Sequence, residues 1–205
     1  MSHSKLEQKP DFDAAYYRRY YLDPKTRAQS PASARRLAAF VAAYVRYLEL
    51  PVRRVLDVGC GMGRILNGLQ KQFPSARCHG VEYSAYLCRK YGWVQASVAD
   101  YQSRAPYDLV ICNDVLPSLD DRTCAAAIDN LAQLCRGALF LGVLSAEDWE
   151  ICDQDRTDPA VHLRPAAWYR RRLQRHFLNI GGGFWLKPAS GIDVWHLDRL
   201  GPAPR

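Results

Sequence analysis

VLDVGCGMGRIL, residues 55–66, is the stretch on which the fold of this chain turns. A short apolar run carrying one carboxylate, Asp57, leads into glycines at 59, 61 and 63 and then into residues that return at helical spacing. A strand, a glycine loop and a helix in that order bring bare backbone and a helix N-terminus up to a ligand. The end of the loop narrows the choice of ligand. A phosphate-gripping loop closes on Gly-Lys-Ser/Thr, whereas here Arg64 and Ile65 follow Gly63. A dinucleotide fingerprint, Gly-x-Gly-x-x-Gly, fails as well, because Gly63 comes one place early and Arg64 stands where the third glycine belongs. Asp57, just ahead of the loop, would repel a pyrophosphate and suits a ligand with a cationic end.

Working outward, RRVLDV (53–58) reads as the first strand and residues 64–73 as a helix closed by Pro74. CHGVEY (78–83) is a second strand. SAYLCRKYG (84–92) is a helix with Ser84 as N-cap and Gly92 past its end. VQASVADY (94–101) is a short strand with its turn, and the nearly unbroken apolar run YDLVICND (107–114) suits a parallel strand buried on both faces. Residues 121–135 are helical, GALFLGVLS (137–145) is a fifth strand, 146–164 is irregular, and 164–176 is helical with Pro165 in its first turn. FLNIGGGFWLK and IDVWHLDRL pair as a terminal hairpin. Upstream, Leu37, Phe40, Val41, Tyr44, Val45 and Leu48 mark an amphipathic helix over 33–48, ended by Pro51. The expected fold is α/β: a doubly wound, mostly parallel seven-stranded sheet with helices on both faces and an antiparallel C-terminal hairpin. One domain is expected over 1–205: a helical cap (1–50), a ligand-binding core (51–145), a covering loop and helix (146–176), and a hairpin with tail (177–205).

Composition sets the bounds. A chain of 205 residues with 48% hydrophobic and 24% charged residues is an ordinary globular domain. No apolar run nears the roughly 18 residues of a membrane span, and MSHSKLEQKPDFD lacks the apolar segment of a signal peptide. A cytoplasmic chain without membrane partners is expected. The seven cysteines are scattered, with no Cys-x-x-Cys pair and no histidine pair at ligand spacing, so they read as reduced core residues and no metal is expected. The net charge of +7 is spread along the chain, and its densest clusters, Arg35-Arg36 and Arg170–Arg172, lie in helical segments. A nucleic-acid partner is possible on that charge but not favoured.

A cationic-ended ligand with a ribose also needs an acid at the end of the second strand, about 20 residues beyond the loop. Glu82 stands there. With VLDVGCGMG (55–63), GVEYS (80–84), ASVADY (96–101) and YDLVICNDVLPSLDD (107–121), the chain resembles the class I (Rossmann-like) S-adenosylmethionine-dependent methyltransferases over roughly residues 50–145. The resemblance implies S-adenosyl-L-methionine as cofactor and S-adenosyl-L-homocysteine as product. It implies that Asp57, Gly59, Cys60, Gly61 and Gly63 line the methionine end. Glu82 would hold the ribose, Tyr83 pack on the adenine, and Asp100 accept from its amino group beside Tyr101. Asn113, Asp114 and Val115 would border the methionine and the substrate entrance.

Methyl transfer from a sulfonium is an in-line displacement that needs alignment, dryness and a base only where the acceptor arrives protonated. AAYYRRYY (14–21) reads either as a lid or as a helix packing its tyrosines on the domain. As a lid, it would set Tyr16 and Tyr20 over the cofactor, with Tyr17 and Arg18 toward substrate. The loop at 147–169 supplies His162 as candidate base, although a helix-entry residue explains it equally well. Arg156, Asp158, Arg164 and Tyr169 are candidates to shape the substrate pocket. The fourth strand ends Asn113-Asp114-Val115-Leu116, without the two prolines and aromatic of enzymes that methylate base amines. A small-molecule acceptor is therefore expected, with an RNA or protein methyltransferase, a catalytically silent cofactor-binding protein and, last, an NAD(P)-dependent oxidoreductase as alternatives. The chain would act as monomer or homodimer.

Overall fold

The computed structural model describes residues 12–201, so the first eleven residues of the expected cap and the last four of the expected tail lie outside it. A capping box starts the first long helix, α2 (Pro31–Tyr47). The Ser30 hydroxyl accepts from the Ser33 amide at 3.0 Å, the Ser33 hydroxyl accepts from the Ser30 amide at 2.9 Å, and Pro31 takes the first turn. This cap starts the helix two residues earlier than its apolar spacing suggests. Ahead of it, α1 (Ala14–Tyr17) runs into one π-helical turn, Arg18–Leu22.

The core then alternates: β1 (Arg54–Val58), α3 (Arg64–Gln72), β2 (Arg77–Glu82), α4 (Ala85–Tyr91), β3 (Val94–Gln95), β4 (Tyr107–Asn113), α5 (Asp121–Leu134) and β5 (Cys135–Gly142). Two short helices, α6 (Ala146–Trp149) and α7 (Ala166–Leu173), precede β6 (Leu178–Asn179) and β7 (Phe184–Leu186). The seven strands lie in the order β3-β2-β1-β4-β5-β7-β6, all running the same way except β7, which pairs antiparallel with both β5 and β6. Alternate side chains feed opposite faces. Val55, Leu109, Ile111, Ala138, Phe140, Phe184 and Leu186 pack with α2 and α3, whereas Leu56, Val58, Val110, Cys112, Leu139, Leu141 and Trp185 pack with α5 and α7.

The terminal hairpin differs from expectation. It closes inside FLNIGGGFWLK, and IDVWHLDRL forms no strand. Gly181, Gly182 and Gly183 all adopt positive φ, at 79°, 58° and 82°. They turn the chain so tightly after Ile180 that the Ile180 amide donates to the Phe184 carbonyl at 3.1 Å. The sheet edge is therefore filled before residue 188, and the last apolar run lies on the surface, with Trp195 and Leu197 exposed. All seven cysteines are free thiols, and five of them are buried. Among the described residues no helix is long and apolar enough to cross a membrane.

Candidate functional site

The carboxyl ends of β1, β2 and β4 meet where strand order reverses, the position at which doubly wound sheets bind ligands. The loop after β1 is fixed from below. Gly59 and Cys60 both donate their amides to the Val81 carbonyl, at 2.8 and 3.1 Å, and Gly63 donates to the Cys60 carbonyl at 2.8 Å. Gly59 (φ +69°) is packed so closely that a Cβ there would lie 2.2 Å from Val115 Cγ2. Gly61 (φ +54°) is the opposite case, because a Cβ there would meet nothing within 4 Å. Its backbone faces open space and makes a cradle.

Behind the cradle stands Trp93, which sequence reasoning missed. Its indole N–H donates to the Gly61 carbonyl at 3.0 Å, and its ring fills the space beside Gly63 and Gly80. A lone tryptophan after a helix-ending glycine carries no pattern that would have announced this role.

Two carboxylates are buried at the cradle. Glu82 accepts from the Gly61 amide through Oε2 and from the Ser84 amide through Oε1, both at 2.8 Å, which fixes its plane and leaves a lone pair on each oxygen. Asp57 is 2% exposed, and its Oδ2 has no hydrogen-bond partner. Burial, with the neighbouring Glu82 charge adding to it, pushes the Asp57 carboxyl up to about 8. A buried acceptor without a donor is costly unless something brings one. An ammonium-ended ligand would supply both donor and charge, so these residues fit the expected adenosyl ligand.

The N-terminal segment lies over this cradle. Tyr17 is buried, stacks on Tyr86 with ring centroids 6.4 Å apart, and turns its phenol to Ser84 and Glu82. Tyr16 packs edge-on against Tyr17 at 5.3 Å and faces Asp158 from the loop that follows β5. Tyr20 packs on Tyr16 at 5.0 Å and carries Arg19 over its ring. Tyr21, a second residue that sequence reasoning missed, lines the cleft with Asp57, Gly61 and Asp114. Arg64 clamps the segment down by donating to the carbonyls of Tyr21 (3.1 Å) and Gln29 (3.2 Å). The cleft left beneath measures about 40 Å³.

At the end of β4, Asn113 donates its side-chain amide to Asp114 Oδ2 at 2.9 Å. Asp114 holds φ +56°, a left-handed conformation rare for a residue with a side chain, and burial raises its carboxyl above the ordinary range.

Other candidates do not line that cleft. Tyr101 turns away from the cradle: Asn130 ties down the carbonyls of Val98 (2.8 Å) and Tyr101 (2.9 Å), and the Tyr101 hydroxyl meets that of Tyr107, at the amino end of β4, at 3.0 Å. Asp100 is exposed in its turn. Tyr83 is exposed and touches Phe12 edge-on at 6.2 Å.

Arg164 and Tyr169 are buried, which corrects their assignment to substrate. Arg164 pairs with Asp121 at 2.7 Å, donates to the Leu116, Leu119 and His162 carbonyls and to the Tyr169 hydroxyl, and stacks on Trp168. It fastens the covering loop to the segment after β4. Arg156 is exposed and pairs with Asp153 at 3.2 Å, and Arg18 is exposed on the lid. His162 is tethered by its backbone amide to the Pro117 carbonyl at 2.7 Å, and its side chain is exposed.

Sheet order, glycine cradle and paired carboxylates define a doubly wound α/β protein built to receive a nucleoside-type ligand with a cationic end. The family model described as "Methyltransferase domain" matches residues 16–195, and the chain belongs to that family. It is 32% identical over 158 residues to the trans-aconitate 2-methyltransferase of Azoarcus sp. (strain BH72), a match covering 74% of this chain and 56% of that protein. The chain thus spans little more than half the length of that relative. Its fold is that of the magnesium protoporphyrin IX methyltransferase of Synechocystis PCC 6803, solved with bound S-adenosylhomocysteine (TM-score 0.60, 20% identity, 84% of this chain and 88% of that one). The plantazolicin methyltransferase BpumL is similar in fold too (TM-score 0.58, 14% identity, 78% and 72%).

Proposed function

We propose that the chain is an S-adenosylmethionine-dependent methyltransferase acting on a small-molecule acceptor. The observation that carries this reading is Asp57, buried with an unpartnered oxygen beside the open backbone of Gly61. The cofactor supplies an electrophilic methyl group on a sulfonium, and the protein's task is to hold, align and keep dry. Asp57 would take the ammonium of the methionine end, against the bare backbone of Gly61. Glu82, already oriented by two amides, would take the ribose hydroxyls.

In this reading residues 12–22 and 146–164 cap a cofactor core over 51–145. Pockets for ligands of this size measure about 300–1,000 Å³, so the 40 Å³ cleft describes a closed cap. Tyr17, lying against Glu82, must withdraw to admit a ribose. The same closure favours a second reading, a chain that binds cofactor without turning over.

Calorimetry decides first between ligands. S-adenosylhomocysteine should bind and NAD(P) should not, and the reverse result would overturn the assignment. A radiolabelled methyl group moving from S-adenosylmethionine to any member of a metabolite panel then separates the enzyme from the silent protein.

A further inference from the structure

The charges around the cleft say what kind of acceptor it would receive. The covering loop over 147–158 carries six carboxylates and a single arginine, a local charge of −5 in a chain of net +7. Asp158 brings this charge to the lid, where it faces Tyr16 and adds to the burial that raises the phenols of Tyr20 and Tyr21. Asp114, which lines the cleft, acts on the same Tyr21 phenol, as does Glu82. The basic residue in the cleft wall, Arg64, is turned onto the carbonyls of Tyr21 and Gln29 and offers its charge to the lid rather than to a ligand. A carboxylate acceptor would enter such a site against repulsion, whereas a cation would be drawn in.

The backbone supports a reacting role for Asp114. A left-handed φ of +56° is uncommon for a residue with a side chain, and such conformations gather at functional positions. Here it turns the carboxylate at the end of β4 into the cleft wall, with one oxygen steadied by Asn113.

We propose that the methyl acceptor is an amine, drawn in as its ammonium by Asp158 and Asp114, and that Asp114 is the catalytic base. This assignment rests on the methyltransferase reading above. The ammonium gives one proton to Asp114. The freed nitrogen lone pair forms the N–C bond as the C–S bond breaks and its electron pair stays on sulfur, and the proton leaves Asp114 for water. The other groups facing Asp114 are Tyr21 on the lid and Asn113 and Cys112 on β4. Burial pushes Tyr21 and Cys112 upward, away from the neutral range in which a raised carboxylate works as a base.

The test uses the full chain saturated with S-adenosylhomocysteine. Tyramine, histamine and glucosamine are titrated calorimetrically beside the matched acids 4-hydroxyphenylacetate, imidazole-4-acetate and glucuronate. At least one amine should bind about tenfold tighter than its acid, and Asp114→Asn should remove about tenfold of that affinity, as loss of a charged partner does. Asparagine tolerates the left-handed conformation, so the variant should fold, which thermal unfolding of the ligand-free chain checks. For an amine that is turned over, kcat/KM should rise with pH through the Asp114 titration. Asp114→Asn should erase that limb and lower the rate about 100-fold or more. Asp57, which also titrates in this cleft, remains in that variant and so cannot account for the lost limb.

Acids binding as well as amines, no amine binding, or Asp114→Asn leaving amine binding unchanged would each overturn the proposal. Failure of the wild-type chain to bind S-adenosylhomocysteine would instead remove the methyltransferase reading beneath it.

Discussion

Gly61→Ala and Gly59→Ala differ by two positions and by almost nothing chemically, yet the structure assigns them opposite consequences. Both glycines are left-handed, at φ +54° and +69°, so alanine at either costs about 1–2 kcal/mol in backbone strain. At Gly61 the new methyl meets nothing within 4 Å and adds no packing cost. For a chain of this size each kcal/mol moves Tm by about 2–4 °C, so Gly61→Ala should lower Tm by only about 2–8 °C. At Gly59 the methyl would sit 2.2 Å from Val115 Cγ2. The valine cannot rotate freely out of the way, and overpacking adds about 1–3 kcal/mol. Gly59→Ala should therefore lose about 4–20 °C. Binding should rank them the other way, relative to the stability each retains. The Gly61 methyl projects into the space assigned to cofactor, and an overpacking cost of about 2 kcal/mol there is roughly a 30-fold loss in S-adenosylhomocysteine affinity. Differential scanning fluorimetry without ligand, followed by calorimetry with it, reads both quantities. If Gly61→Ala bound the ligand like wild type, or destabilised the chain as much as Gly59→Ala, the cradle would be lost.

Asp57→Asn tests the buried acid through pH. Its folded pKa is raised above the unfolded value of 3.8, so its contribution is most favourable below that value and is lost as pH rises toward about 8. The ligand-free wild type should weaken across that window by roughly 2–5 kcal/mol relative to Asp57→Asn. The variant should be the more stable at the alkaline end and yet gain far less Tm from S-adenosylhomocysteine, and parallel stability curves would contradict this. Arg164→Ala strips donors from the Leu116 and Leu119 carbonyls and should cost about 2–5 kcal/mol, with earlier proteolysis in the loop at 146–164 as the local sign. His162→Ala should keep turnover within about threefold, because its side chain is exposed; a hundredfold loss would restore it as the base in place of Asp114.

The parts of this molecule that repeat a local pattern could be read from sequence, and the parts made by distant contacts could not. β1, the glycine turn and α3 follow from an apolar run, three small residues and helical spacing within one stretch. Ser84 and Gly92 bracket α4 through local capping chemistry, and both stand where that chemistry requires. The hairpin went wrong because the apolar run at 192–200 looks like a strand locally. Only the tight glycine turn at 181–183 shows that the sheet edge is already taken. Tyr101 and Arg164 carry the right chemistry for a site, and their orientation is set elsewhere, by Asn130 and by Asp121 with the carbonyls after β4. Trp93 shows the converse, since nothing near it in sequence hints that it braces the Gly61 carbonyl from behind the cradle.

Arg64 joins the binding question to the chemical one. In the sequence it matters as the residue that spoils a dinucleotide loop, a negative clue. In the fold it does a positive job, holding the carbonyls of Tyr21 and Gln29 over the cradle from the first turn of α3. Opening the cap must break those two charge-assisted hydrogen bonds and unstack Tyr17 from Tyr86. Closing it must bring Tyr21 back beside Asp114 in the cleft wall. The cradle and the carboxylate proposed to meet the acceptor therefore lie under one segment. On the proposed function, the cap that would exclude water from a transferring methyl group would also form a wall of the acceptor pocket.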